Sequence, residues 1–358
     1  RLFRWVSASY IAVLAMPVVL YSNAQTSPSC HDRGTPMNHI TDPVPASLEH
    51  WSSLRDRILE SAQQVMGSFP VSDRSSPPTW SVVEETECES HVRQSITYEA
   101  DEDCETTAFI CRPHSSTSAS MRGILCLHPT NHEHGYRDVV GLSGRPDRNY
   151  ASELADLGFV TISPSYPQMA AYQPDLRGLG YHSGTMKAIW DNVRALDLLE
   201  SLPFVEDGAF GAIGHSLGGH NSVYTAVFDP RIQAIVSNCG LDSFVDYPNW
   251  TAGEGWSQER YMPRIGDYGS PEAIPFDFHD LIASFSPRAC LVSAPIDDTN
   301  FKWKIAAEVV RAARNIYSLH GAADRLQIIH PACPHDFPPD VRRLCYEFIG
   351  TSLESVAT

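Results

Sequence analysis

The chain has 358 residues, 42% of them hydrophobic and 19% charged, with a formal net charge of −17 at pH 7. This length allows one large α/β domain with insertions, or two domains. The negative charge argues against a nucleic-acid partner, because phosphate binding needs a basic surface, and more weakly against an anionic membrane.

The first 24 residues have the three-part layout of a secretory signal peptide. Arg1 and Arg4 precede an apolar run over 11–20, and small residues lead up to Ala24. The apolar run is too short for a transmembrane span, so we expect cleavage after Ala24, no membrane span in the mature chain, and export to the periplasm or the extracellular space. Residues 25–79 are expected to form an N-terminal arm with an amphipathic helix over 48–66.

Nine cysteines follow the expected cleavage site. An odd number cannot all pair within one chain, and in an exported protein disulfides are expected first among Cys88, Cys104 and Cys111. Cys126 and Cys290 lie in apolar runs and are expected to be buried thiols. The sequence has no C-x-x-C pair, which leaves a zinc ribbon or a thioredoxin-type site without support.

The region 80–355 is predicted to be one α/β domain. Strand-like alternation over 81–86, 92–98 and 106–111 predicts an antiparallel opening to the sheet. Strands over 123–127, 159–163, 209–213, 232–237, 289–293 and 326–329 then alternate with helices over 150–157, 185–201, 222–228, 301–319 and 339–349. This alternation predicts a mainly parallel, doubly wound sheet, and the aromatic-rich stretch 239–287 is predicted to be a cap insertion.

The stretch Gly214–His220, GHSLGGH, contains G-x-S-x-G between a predicted strand and a predicted helix. A serine on such a strand-to-helix turn has a strained backbone that exposes its hydroxyl, and the turn needs small neighbours. Ser216 is therefore the candidate nucleophile, and a base and an acid are expected after it in the chain, in the order acid then histidine.

His335 is the candidate base, because it follows the last predicted strand and lies at the same sheet edge as Ser216. His330, which ends that strand, is the competitor. For the acid, Asp297 and Asp298 both follow the strand 289–293, and Asp242 beyond the preceding strand is a third option. Asp324, at the opposite edge, is disfavoured, and His279 and His320 are expected to be structural or surface residues.

An oxyanion needs two preorganised N–H donors. The backbone N–H of Leu217 directly follows the nucleophile. The second donor is expected from the loop after strand 123–127, where Pro129 has no N–H and Thr130 is the candidate.

Two other groups of side chains give weaker indications of function. His132, Glu133 and His134 suggest a metal site by composition, but we prefer a polar active-site loop and expect neither metal nor cofactor. Six aromatic residues are equally consistent with a substrate pocket and with ordinary packing of the cap: Tyr166, Tyr172, Tyr181, Trp250, Trp256 and Tyr261.

With these residues in place, the chain resembles the α/β-hydrolase superfamily over about residues 80–350. Within it, the chain is similar to dienelactone hydrolases, acetyl xylan esterases and the catalytic domains of prolyl oligopeptidases. The matching stretches are LCLH at 125–128, MKAIWDNVRA at 186–195, GHSLGGH, FSPR at 285–288 and HDFPPDVR at 335–342.

The resemblance implies Ser216 as nucleophile and His335 as base. In this branch the acid commonly stands three residues before a phenylalanine, which favours Asp298, three before Phe301, over Asp297. Dienelactone hydrolases have a cysteine where this chain has Ser216, so the resemblance implies an acyl hydrolase and leaves its substrate open.

The sequence therefore predicts a serine-dependent carboxylic ester hydrolase that works through an acyl-enzyme. Export and the resemblance together suggest a small-molecule or carbohydrate ester, such as an acetylated sugar, as substrate. A prolyl-oligopeptidase-like peptidase and a non-catalytic binding protein on a hydrolase scaffold remain the alternatives.

Overall fold

The computed structural model describes residues 44–69, 74–114, 120–247 and 253–356. The expected signal peptide and Cys30 lie outside these residues. None of the helices within the described ranges is both long enough and apolar enough to cross a membrane.

Among the described residues, nine strands form a single sheet. In chain order they are β1 (Trp80–Glu87), β2 (His91–Asp101), β3 (Cys104–Pro113), β4 (Met121–Leu127), β5 (Val160–Pro164), β6 (Val205–His215), β7 (Ile232–Asn238), β8 (Ala289–Ser293) and β9 (Leu326–Ile329). Their order in the sheet is β1-β2-β3-β5-β4-β6-β7-β8-β9. Pairing is antiparallel from β1 to β5 through β3, and parallel from β5 to β9.

In the part of the chain that the structure describes, seven α-helices accompany the sheet: α1 (Leu48–Met66), α2 (Tyr150–Asp156), α3 (Gly184–Glu200), α4 (Leu217–Phe228), α5 (Phe278–Ser284), α6 (Trp303–Leu319) and α7 (Pro339–Glu354). Alternate side chains of β4 enter two different apolar clusters, Ile124 and Cys126 on one face, Leu125 and Leu127 on the other. Helices α2 and α7 cover the first face, and α1, α3, α4, α5 and α6 belong to the second cluster. The predicted doubly wound sheet with antiparallel first strands is confirmed.

A buried ion pair lies inside α3. Lys187 Nζ lies 2.7 Å from Asp101 Oδ2 at the end of β2 and also bonds the Asp191 carboxylate one turn further along the helix. A lysine is tolerated there because two carboxylates surround it, and the cluster ties α3 to the antiparallel half of the sheet.

Within the described residues between β7 and β8, the chain forms three short 3-10 turns (Gly255–Ser257, Pro263–Asp267, Pro271–Ala273) and then α5. Helix α5 was not predicted, because the whole stretch 239–287 was interpreted only as a cap insertion. Asp277 caps α5, and its carboxylate also accepts hydrogen bonds from Ser243 Oγ (2.5 Å) and the Phe244 N–H (3.1 Å). The chain therefore returns to α5 close to the point at which it left β7.

The expected disulfides among Cys88, Cys104 and Cys111 are wrong, because all three are free thiols. Cys104 and Cys111 lie on the same strand, seven residues or about 23 Å apart. A disulfide needs Cα atoms within about 7 Å. Cys126 and Cys290 are buried thiols, as predicted.

Candidate active site

Ser216 lies at the turn between β6 and α4, with φ 56° and ψ −118°. This conformation is rare for a residue with a side chain and matches the strained turn that the motif predicts. A Cβ on Gly214 would stand 2.2 Å from the Gly218 backbone, and a Cβ on Gly218 would stand 1.9 Å from the Leu127 carbonyl oxygen. Both glycines are therefore required by close backbone approach.

His335 and Asp298 meet at the same edge of the sheet. His335 lies between β9 and α7, Asp298 lies between β8 and α6, and His335 Nδ1 is 2.8 Å from Asp298 Oδ2. The other carboxylate oxygen accepts the N–H groups of Asn300 (2.8 Å) and Phe301 (3.1 Å). Burial alone would raise the pKa of Asp298, but these bonds and the nearby histidine hold the pKa below its ordinary value.

The other candidates for the acid and the base have different surroundings. Asp297 is exposed, whereas Asp298 is buried. His330 Nδ1 is 2.9 Å from the Ala294 carbonyl oxygen. Asp242 accepts a hydrogen bond from the Ser243 N–H, and burial raises its pKa to about 7. Among these candidates, the structure pairs Asp298 with His335.

Asn238, the last residue of β7, connects the serine turn to the histidine loop. Its carbonyl oxygen accepts the Ser216 N–H (2.9 Å). Its side-chain Nδ2 is 2.8 Å from His215 Nδ1 and donates to the Asp336 carbonyl oxygen at 3.0 Å. Asn238 is not among the site residues predicted from the sequence, although its position at the carboxyl end of the predicted strand 232–237 indicates that it lies at the site.

His215 packs beside the candidate base, with 4.8 Å between its ring centre and that of His335. Burial and the nearby positive charge of Arg148 lower its pKa well below the ordinary value. Arg148 is itself buried and donates to Asp336 Oδ1 at 2.5 Å. His215, which precedes Ser216, and Asp336, which follows His335, are thus both held in place.

Ser216 opens into a cavity of about 150 Å³. The cavity is lined by residues of the loop after β4, the serine turn, the segment after β7 and the loop after β8: Thr130, Ser216, Leu217, His220, Tyr247, Gly255, Trp256, Gln258, Tyr261, Asn300 and Phe301. Trp256 stacks on Tyr247 with 4.4 Å between ring centres, and it lies nearly parallel to Phe301. Of the six aromatic residues singled out in the sequence, Trp256 and Tyr261 line this cavity, whereas Trp250 lies outside the described residues.

The loop after β4 borders the same cavity. Thr130 Oγ1 is 3.4 Å from the Tyr261 hydroxyl, and the Asn131 N–H points to Met169 Sδ at 3.4 Å. His128 holds this loop to the segment after β5, because its Nδ1 is 2.7 Å from the Pro129 carbonyl oxygen and its Nε2 accepts the Tyr166 N–H at 3.1 Å. Burial lowers the pKa of His128 to about 4, which keeps the ring neutral.

The loop at 132–134 contacts the segment after β7. His132 accepts a hydrogen bond from Arg260 (3.1 Å to Nε2), which joins this loop to the segment after β7, and His134 lies 3.7 Å from Glu133. In the described part of the chain, metal-ligand side chains converge as a group of three at Cys239, Asp298 and His335, with ligand atoms within 4.8 Å of one another.

No family profile matches the chain. It is 26% identical over 167 residues to a protein named 4-O-methyl-glucuronoyl methylesterase 1 of Sodiomyces alcalophilus, covering 42% of this chain and 34% of that protein. It is also 26% identical over 164 residues to the hydrolase YtaP of Bacillus subtilis, covering 45% of this chain and 52% of that protein. The chain thus spans between about a third and a half of the length of these relatives.

The solved structure of a glucuronoyl esterase from Solibacter usitatus superposes with a TM-score of 0.71 at 16% sequence identity, covering 90% of this chain and all of the other. At this identity the similarity concerns the fold. The strand order, the serine turn between β6 and α4 and this superposition agree, and the chain has the α/β-hydrolase fold.

Proposed function

We propose that the protein is a serine-dependent carboxylic ester hydrolase that works through an acyl-enzyme, with Ser216, His335 and Asp298 as its catalytic residues. The observation that carries the proposal is the 2.8 Å contact between His335 Nδ1 and Asp298 Oδ2 at the sheet edge that also presents Ser216 in its strained turn. The carboxylate fixes the proton on Nδ1 and leaves Nε2 free to accept another.

The reaction follows from these roles. His335 Nε2 accepts the hydroxyl proton of Ser216 as the oxygen attacks the ester carbonyl, and the backbone N–H groups of Leu217 and Thr130 stabilise the oxyanion. His335 then protonates the leaving alcohol, and afterwards it activates the water that hydrolyses the acyl-enzyme. Asp298 orients the imidazole and stabilises its protonated form throughout.

Thr130 is proposed as the second oxyanion donor for two reasons. It lines the same cavity as Ser216 and Leu217. The next N–H in the loop, that of Asn131, is directed to Met169 Sδ instead. Removal of one such donor typically costs about 3 kcal/mol of barrier.

Carbohydrate esters are the substrate class that the cavity supports best. The stacked rings of Tyr247 and Trp256 form an aromatic wall against which a sugar can pack, and Gln258, Asn300 and the Tyr261 hydroxyl offer polar groups that can bond its hydroxyls. The names of the relatives point the same way, so methyl esters of glucuronic acid belong in the substrate panel beside acetylated sugars.

We also propose that the first 24 residues direct export, and that 239–287 act as a cap on an otherwise single α/β domain. The location of Trp256 and Tyr261 at the cavity supports the role of the cap, because both reach Ser216's surroundings from that segment.

The test compares the wild type with Ser216→Ala on short p-nitrophenyl esters, acetylated xylose, methyl glucuronate and aminoacyl amides. We expect ester hydrolysis by the wild type and a loss of at least about 10³-fold in the variant. A fluorophosphonate probe should label the wild type and spare Ser216→Ala, while Ser81→Ala, an exposed serine on β1, serves as the control.

Three results would reject the proposal. Equal activity of wild type and Ser216→Ala would remove Ser216 as the nucleophile. A clear preference for aminoacyl amides would select the peptidase. A folded wild type that neither hydrolyses an ester nor reacts with the probe would indicate a binding protein on this scaffold.

A further inference from the structure

A thiol lies directly behind the proposed catalytic pair. Cys239 directly follows β7, and its Sγ, the Asp298 carboxylate and a ring nitrogen of His335 all lie within 4.8 Å of one another. Cys239 is 2% exposed, and the Asp298 and His335 side chains are 1% and 26% exposed. The mechanism above uses Asp298 and His335 but gives the thiol no role.

The position of Cys239 is fixed by its backbone. Its φ is 49°, a left-handed value that is unusual for a residue other than glycine, and its N–H donates to the Ser293 carbonyl oxygen at 2.8 Å. Its Sγ donates to the Asp336 carbonyl oxygen at 3.4 Å, in the loop that carries His335. The thiol is therefore held between β7, β8 and the histidine loop.

We infer that Cys239, Asp298 and His335 form an inhibitory binding site for a thiophilic divalent cation of the Zn²⁺ class. Thiolate, imidazole and carboxylate are the three ligand types that zinc prefers. At usual zinc–ligand distances of about 2.0–2.3 Å, tetrahedral ligand atoms stand about 3.3–3.7 Å apart. To bind the ion, the longest distance between two ligand atoms of the cluster must shorten by at most about 1.5 Å. The distance between Asp298 Oδ2 and His335 Nδ1 must lengthen slightly from 2.8 Å.

The charges of the cluster balance when the cation binds. Before binding, the cluster holds one carboxylate, a neutral imidazole and a neutral thiol, for a net charge of −1. Binding releases the thiol proton to solvent, since a coordinated thiol is deprotonated. The cation, one thiolate, one carboxylate and a neutral imidazole then sum to zero.

Inhibition follows from the tautomer of His335. The nitrogen that faces Asp298 is Nδ1, so a cation bound there takes the Nδ1 lone pair and leaves the ring proton on Nε2. A protonated Nε2 cannot accept the Ser216 proton. This consequence rests on the proposed function, whereas the binding itself does not.

Binding is tested first, without any reference to activity. Purified full-length protein is titrated with ZnCl₂ by calorimetry and with CoCl₂ by absorption spectroscopy, for the wild type, Cys239→Ser and Cys88→Ser. Cys88, a half-buried thiol in the turn after β1, is the matched control. We expect a thiolate-to-cobalt charge-transfer band in the wild type and in Cys88→Ser, its loss in Cys239→Ser, and at least tenfold weaker zinc binding in Cys239→Ser alone.

Inhibition is tested next, with each variant compared with its own uninhibited rate. Zinc should inhibit p-nitrophenyl ester hydrolysis by the wild type, EDTA should restore it, and Cys239→Ser should need at least tenfold more zinc. His132→Ala/His134→Ala, which removes the exposed His132 and the half-buried His134 from the loop beside the cavity, should be inhibited by zinc like the wild type. Equal zinc affinity of wild type and Cys239→Ser, or a cobalt band that survives in that variant, would overturn the site even if esterase activity is found.

Discussion

Two adjacent aspartates follow β8, and only their side-chain directions separate them. Asp298 reaches His335 and accepts two backbone N–H groups, whereas the Asp297 side chain is exposed. The pair therefore offers a test in which both variants remove one negative charge from the same loop.

Asp298→Asn should lower kcat by about 10²–10⁴-fold, because an amide no longer fixes the Nδ1–H tautomer of His335 or stabilises its protonated form. Asp297→Asn should stay within about twofold of the wild type. Steady-state kinetics on a p-nitrophenyl ester measures both, and the reverse order of effects would make Asp297 the acid.

Asn238 is expected to act as a positioning residue, since it contacts both the serine turn and the histidine loop without lining the cavity. Asn238→Ala should lower kcat by about 10–100-fold and leave KM nearly unchanged, because small displacements of reacting groups are costly. Asn238→Gln keeps the amide but changes the reach of the side chain. If the exact reach matters, Asn238→Gln should still lower kcat, as Asn238→Ser does.

A purely structural role for Asn238 predicts a different result. In that case the free energy of unfolding falls in Asn238→Ala while kcat per folded molecule stays unchanged. Active-site titration with the fluorophosphonate probe counts the folded, reactive molecules and separates the two outcomes.

The individual site residues differed in how far sequence could identify them. The glycines around Ser216 and the loop position of His335 are local features, so a motif predicts them. The choice between Asp297 and Asp298 needed a family pattern, because both occupy the same loop. Asn238 and Cys239 act through contacts with residues about a hundred positions later, and no local pattern reveals such contacts.

At the level of elements, three buried neutral histidines surround the site. Burial lowers the pKa of His128 and His220 to about 4 and that of His215 well below its ordinary value. His128 has the clearest geometry, because its Nε2 accepts the Tyr166 N–H and thereby joins the loop after β4 to the loop after β5. Protonation of His128 would break this connection.

The direction in which pH changes the stability follows from the difference between the pKa of His128 in the folded and unfolded states. An unfolded histidine has a pKa near 6.5, so between pH 6.5 and 4 the unfolded state binds more protons than the folded state. The stabilising contribution is complete above pH 6.5 and is lost as the pH falls toward 4. His128→Gln should therefore reduce the stability difference between pH 7.5 and pH 5 by up to ~2 kcal/mol.

Chemical denaturation at the two pH values measures this difference. The exposed His50→Gln on α1 is the control and should leave the pH dependence as it is in the wild type. If His128→Gln loses the same amount of stability at both pH values, His128 contributes packing and hydrogen bonding but no proton linkage.

The predicted elements and the structure agree best at one long amphipathic helix and two short strands. The ranges 48–66, 289–293 and 326–329 match α1, β8 and β9 at both ends. Agreement is weaker where tertiary contacts define the element. β6 begins at Val205, before its apolar run, and α4 begins at Leu217, directly after the strained serine. The cap could not be predicted in detail, because short 3-10 turns carry no period.

At the level of the whole molecule, α1 joins the N-terminal region to the cap. Its apolar face belongs to the main core cluster, in which Ile58 is fully buried. Arg55 Nε donates to the carbonyl oxygen of Ser284 in α5 at 2.6 Å, and Arg264 of the cap donates to the Gln64 carbonyl oxygen at 2.9 Å. Helix α1 is thus part of the domain core.

Ile58→Ala should lower the free energy of unfolding by about 2–5 kcal/mol, through lost burial and the cavity left behind. The control Leu48→Ala, at an exposed position on the same helix, should change it by no more than about 0.5 kcal/mol. Unfolding followed by circular dichroism and by tryptophan fluorescence should give coincident transitions. Two separate transitions, or an unaffected Ile58→Ala, would show that α1 folds apart from the rest.

The Asp277 carboxylate, which caps α5, affects how such a protein can evolve. Asp277 bonds Ser243 and Phe244, so the two ends of the segment 245–276 are held close together. A segment with adjoining ends can be lengthened, shortened or exchanged at little loop-closure cost. Ser216, Asp298 and His335 all lie outside it, each after a different strand. Evolution can therefore exchange the proposed cap segment as a single contiguous piece, while the proposed catalytic residues are inherited unchanged.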